Sequence, residues 1–101
     1  MHAKKRLELI IERMALRRAS TILEEAGMTG YTVISAMAGY GGGQRWRRGG
    51  DLSTAQDMVI VISISDEEKI NKALISLHKL VDEQIGVLSV STVEVLRPEL
   101  F

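Results

Sequence analysis

From Lys5 to Glu12 apolar residues recur at every second position, with Leu7, Leu9 and Ile11 on one face and Glu8, Ile10 and Glu12 on the other. That alternation predicts a strand. From Met14 to Ala26 the spacing becomes helical, carried by Leu16, Ala19, Ile22, Leu23 and Ala26, and Gly27 stands where a helix would stop. Gly30 to Ala38 is β-branched and apolar, a second strand. Asp57 to Ser63 predicts a third, apolar on both faces. Ser65 to Glu68 spells S-x-x-E, a capping box. The helix it opens carries Ile70, Ala73, Leu74, Leu77 and Val81 on one stripe. Gly86 to Leu96, with Val87, Leu88, Val90, Val93 and Val95, predicts a fourth strand that the only proline, Pro98, ends.

The order is therefore β-α-β-β-α-β, an α+β chain whose 101 residues form one domain, residues 1–101. It fits a ferredoxin-like sandwich: a four-stranded antiparallel sheet with both helices on one face. Two helices cover one face only. Yet in the third strand Met58, Ile60, Ile62 and Ile64 point one way, and Val59 and Val61 the other. A wet face should alternate with polar residues. Large bare apolar patches are rare on monomers, so a homo-oligomer that buries the second face is expected.

Between the second and third strands lies a connection of about 17 residues, against the usual 2–5 of a hairpin. Its core, Gly39 to Gly50, reads GYGGGQRWRRGG and holds six of the nine glycines, three arginines and the only tryptophan. Glycines let backbone N–H groups approach an oxyanion, and Arg45, Arg47 and Arg48 supply planar donors suited to phosphate or carboxylate. Trp46 could stack on a base or anchor a protein. The P-loop pattern is absent, and Gln44 breaks G-x-G-x-x-G. On these residues alone, anion binding and a solvated linker are level, and RNA or an acidic membrane surface is a further option. Fixing a dozen such residues is costly in entropy, so order is expected only with a ligand or partner. The early-helix arginines Arg13, Arg17 and Arg18 read first as a solvated face and second as an anion or partner contact.

Charge and composition narrow the classes. Thirteen basic residues balance thirteen acidic ones, which counts against a general nucleic-acid binder. No cysteine is present, and only His2 and His78 could be imidazole ligands. No apolar run approaches the roughly 20 residues of a membrane span. Glu8, Glu12 and Arg13 interrupt any signal-like core, so a cytoplasmic location is expected. Nothing forms a catalytic constellation, and the chain reads as a non-enzyme.

Nearly the whole chain resembles the PII-like signalling proteins. KRLELIIERMALRRASTILEEAGMTGYTV is similar to their first strand, helix and second strand. Gly39–Tyr40–Gly41 resembles the family's Gly-Phe-Gly, and GYGGGQRWRRGG stands in the place of the T-loop, residues 39–56 here. VIVISISDEEKINKAL and IGVLSVSTVEVLRP are similar to the rest of the fold. The string from Glu24 to Val33 resembles the divergent group associated with bicarbonate transporters or carboxysome operons. The resemblance implies a homotrimer, adenine nucleotide in the clefts between subunits, and a T-loop that responds to it and engages a protein partner such as a bicarbonate transporter. It places Thr32 near the base, Gly39 and Gly41 at the start of the T-loop, Arg97 near the phosphates, and Arg45, Arg47 and Arg48 where they meet phosphate. The segment Asp82 to Gly86 lacks the family's phosphate-binding lysine. That favours ADP or AMP over ATP. Bicarbonate is implied as a second ligand. The loop also lacks the Tyr-Arg-Gly-Ala context, which counts against uridylylation and 2-oxoglutarate sensing. The rival with the same architecture is a CutA-like metal-binding or enzymatic trimer, against which the scarcity of histidine and the lack of cysteine count.

Overall fold

The computed structural model describes residues 1–41, 44–47, 57–84 and 86–101, with 44–47 described as backbone. Strand β1 spans His2–Glu12 and continues through a 3-10 turn, Arg13–Ala15, into helix α1, Leu16–Glu25. Strands β2 (Thr32–Ser35), β3 (Ala38–Gly41), β4 (Gln44–Arg47) and β5 (Met58–Ser65) follow. Helix α2 (Glu67–Glu83), strand β6 (Gly86–Val95) and a 3-10 turn (Pro98–Leu100) complete the order. The main sheet is antiparallel in the order β2-β5-β1-β6, and β3 and β4 form a separate two-stranded ladder.

The alternation in β1 sets the layers. Leu7, Leu9 and Ile11 are fully buried and pair with Ser63, Val61 and Val59 of β5. Against that face pack Ala19 and Leu23 of α1 and Ile70, Ala73, Leu77 and Leu80 of α2. Burying side chains of this size stabilises by about 1.5–3 kcal/mol each. This is the ferredoxin-like α+β sandwich that the element order predicts. Leu80 joins the α2 stripe, although the predicted set passes over it.

Helix α1 ends as expected. Gly27 has φ +89°, its N–H donates to the Glu24 carbonyl at 3.1 Å, and Met28 N–H donates to the Leu23 carbonyl at 3.1 Å. That is a Schellman closure, with Met28 packed onto the core beside Leu23.

Two expectations need correction. The cap of α2 is Asp66, whose Oδ1 accepts Lys69 N–H at 3.0 Å. The S-x-x-E frame starts one residue too early, because Ser65 is still the last ladder residue of β5, paired with Lys5. The second strand does not run unbroken from Gly30 to Ala38. It pairs only from Thr32 to Ser35, and Ala36 N–H makes the last bond, to the Met58 carbonyl at 3.0 Å. Since β5 begins at Met58, the ladder there runs out of partner, and Ala38 belongs to the next one.

Candidate functional site

The topology has two ends. At one lie the start of β1, the ends of β5 and β6, and the start of α2; at the other lie the end of β1, the start of β5 and the hairpin β3–β4. β1, which is 11 residues long, separates them by roughly 35 Å.

Thr32 opens β2 opposite Ile62 and lines a cavity of about 300 Å³. Ile62 and Ile64 give this cavity apolar walls, and Leu100 and Phe101 close it. Ser63 Oγ donates to the Gly30 carbonyl at 2.7 Å, and Thr29 Oγ1 donates to the Leu100 carbonyl at 2.9 Å. β6 sits at the sheet edge away from β2. The chain after Val95 therefore crosses the end of the sheet to reach Thr29. Arg97 lies on that crossing, where its carbonyl accepts Leu100 N–H. Its side chain is 70% exposed, with Nε 3.5 Å from Glu99.

Gly39 and Gly41 lie in β3 at the opposite end of the sheet. The register sets Arg45 opposite Tyr40, Trp46 opposite Gly39, and Arg47 opposite Ala38. Tyr40 is 73% exposed. Arg48 and the stretch 48–56 lie outside the described residues, as do 42 and 43. The expectation that the loop orders only with a ligand meets a backbone ladder at 38–41 and 44–47. Ladder hydrogen bonds offset part of the entropy cost there.

One chain thus brings Thr32 and the Arg97 turn toward a common end and sets Gly39, Gly41, Arg45 and Arg47 at the other. Two of the three arginines at and after the end of β1 answer acids elsewhere. Arg13 donates to Asp57 and Arg18 to Glu83, both at 2.7 Å. The bond from Arg18 holds the Glu83 carboxyl below its ordinary value. Arg17 lines a groove of about 410 Å³ with Arg13, Ser20, Tyr31 and Val33. Between α2 and β6 only residues 84 and 85 intervene, so the connection that lacks the lysine is also short. A Cβ on Gly86 would come within 2.9 Å of the Ile10 carbonyl oxygen, which favours glycine there.

Thr29, Leu100 and Phe101 are not among the residues that the sequence pattern singles out. The available signal was two large apolar residues after the only proline, including the only phenylalanine. Among the described residues, no group of three or more His, Asp or Glu is placed to hold a metal, and no helix is long and apolar enough to cross a membrane.

The family model for nitrogen regulatory protein P-II matches residues 4–100. A search of curated proteins finds no match to the chain. Among solved structures, the chain is similar to CPII, a nitrogen regulatory PII-like protein from Thiomonas intermedia K12, in a form bound to ADP, AMP and bicarbonate. The identity is 25%, over 99% of this chain and 94% of that one, with a TM-score of 0.89. A form of CPII bound to ADP and bicarbonate gives 27% identity over 99% and 95%, with a TM-score of 0.84. GlnK of B. subtilis in complex with ATP shares the fold alone, at 9% identity, 98% of both chains and a TM-score of 0.68.

Proposed function

Because this chain belongs to the nitrogen regulatory P-II family, we propose that it is a PII-like regulatory protein, not an enzyme. It acts as one domain, residues 1–101, and binds adenine nucleotide, ADP or AMP before ATP, in the clefts of a homotrimer. The observation that carries this reading is the separation of its candidate ligand residues. Arg97 and the hairpin glycines and arginines flank opposite ends of a strand roughly 35 Å long, a distance no nucleoside diphosphate bridges. Two copies, the end of one against the opposite end of the next, can gather them. A cyclic assembly repeats that junction at every interface, and the apolar open face of the sheet gives the copies a reason to associate.

The residues fit the ligand. The cavity at Thr32, about 300 Å³ with isoleucine walls and a hydroxyl at the rim, has room for a base rather than a whole nucleotide. The sugar and phosphates then extend toward the neighbouring copy. Glycine amides at Gly39 and Gly41 and the guanidinium groups of Arg45, Arg47, Arg48 and Arg97 offer a polyanion its donors. Bicarbonate is the second ligand in this reading, supported by the CPII forms that hold it together with ADP. Nucleotide and bicarbonate would bias the order of the T-loop, residues 39–56, which meets a partner in carbon metabolism such as a bicarbonate transporter or a carboxysome-linked protein. A cytoplasmic location follows from such a role.

Isothermal titration of AMP, ADP and ATP, with and without bicarbonate, tests this. The expected result is binding of ADP and AMP that tightens when bicarbonate is present, the ratio giving the coupling between the two ligands. No heat from any nucleotide, with the protein folded and trimeric, would remove the reading.

A further inference from the structure

Along the open face of β1 stand Lys4, Arg6, Glu8, Ile10 and Glu12. Arg6 Nη2 lies 3.1 Å from Glu8 Oε1, with the two side chains 31% and 32% exposed. Across the ladders Arg6 faces Ile64 and Ser91, Glu8 faces Ile62 and Ser89, and Ile10 faces Ile60 and Val87. The pair lies at the middle of an inner strand, with isoleucines on its β5 side and serines on its β6 side. Its one bond uses a single donor of the five on the guanidinium and one carboxylate oxygen. When this face is covered, the remaining donors and lone pairs lose water and need partners. A wholly apolar partner would leave them bare. A second copy brings the same two charges and the same two serines, so the surface is complementary to itself.

We propose that Arg6 of one copy pairs with Glu8 of the next across the covered sheet face, and that this exchange fixes how the copies are rotated rather than how tightly they hold. The proposal rests on the reading that copies of this chain cover the face; what it adds is the residues that orient them. In a closed ring each copy gives one guanidinium and receives one, so no charge is left over. Coulomb attraction between buried charges is largely offset by their lost hydration, whereas a mismatched charge stays uncompensated. Slipped or inverted packings are penalised for that reason.

Charge reversals separate the possibilities. Arg6→Glu and Glu8→Arg each replace the opposite charges of the pair by two like ones. Each variant alone should assemble roughly tenfold or more weakly than the parent in sedimentation velocity, with an unchanged far-ultraviolet circular dichroism spectrum. Mixing the two should recover part of the assembly, because in a mixed ring of three two junctions pair opposite charges and the third pairs like ones, and native mass spectrometry should find mixed species. The double variant Arg6→Met with Glu8→Met should remain assembled. Single variants that sediment like the parent would overturn the proposal, as would a mixture that shows no recovery, since the pair would then act within its own chain. Loss of assembly in the double methionine variant would also overturn it, because the pair would then supply strength. A parent protein that sediments as a monomer would instead remove the covered-face reading, and this pairing with it.

Discussion

Toward the helices, Leu7, Leu9, Ile11, Val59 and Val61 are buried against Leu23, Ile70 and Leu77. On the opposite face of the same sheet Ile10, Ile60 and Ile62 are only half-buried, while Ile34 and Val87 are exposed. On β5 both faces carry branched apolar residues; what differs is the cover. On the helix side the chain supplies its own lid, through an α1 stripe and an α2 stripe that return over the strands. On the other side the described residues supply none. The difference teaches that hydrophobic patterning specifies which surfaces must be covered, not whether the same chain covers them.

Substitutions on the two faces should therefore fail in different ways. Leu9→Ala opens a cavity on the covered side and should cost about 2–5 kcal/mol. In urea titrations the loss should be present at every protein concentration, with chain assembly a secondary matter. Ile60→Asp, one position away, should leave the helical circular dichroism signal in place and shift the sedimenting species to monomer. Equal behaviour of the two variants would erase the distinction between the faces. A smaller effect tests the rim of the covered side, where Arg18 ties α1 to Glu83 at the end of α2. The folded carboxyl sits below its ordinary value because Arg18 donates to it, so its contribution is present above the ordinary value and fades as pH falls through the lower, folded one. Glu83→Gln should lower the melting temperature slightly at neutral pH, and the gap to the parent should close in acid. The pair is solvent-exposed, so the gap is small and should shrink further in high salt.

Much of the fold was legible because its signals are local and periodic. The alternation at Leu7, Leu9 and Ile11 fixed both the strand and its buried face. Gly27 marked the helix stop because only a positive φ closes that turn. The errors have physical sources as well. Ser65 and Asp66 are both capping residues, and the choice between them depends on how far β5 pairs with β1, which is a tertiary fact. The hairpin β3–β4 sets Gly39, Tyr40 and Gly41 against Trp46, Arg45 and Gln44, a ladder with no apolar alternation to announce it. The cavity at Thr32 depends on a strand order that takes the tail from one sheet edge across to the other, so neither Leu100 nor Phe101 could be joined to Thr32 by spacing alone. Of the candidate ligand residues, Thr32 lines a cavity. The distance between Arg97 and the hairpin became visible only once the ends of the sheet were known.

The central claim is that neighbouring copies complete each nucleotide site from opposite ends of the sheet. Subunit mixing tests it most directly. One variant, Arg97→Ala, damages the end that carries the C-terminal turn. Another, Arg45→Ala with Arg47→Ala and Arg48→Ala, damages the hairpin end without touching the core. Each alone should lose most ADP binding in equilibrium dialysis while remaining folded. After the two are co-refolded in equal amounts, random assembly leaves about one junction in four with both ends intact, so about a quarter of the parental ADP sites should return. Failure of any sites to return, in mixed assemblies confirmed by mass, would mean that each chain builds its site alone and would contradict the claim.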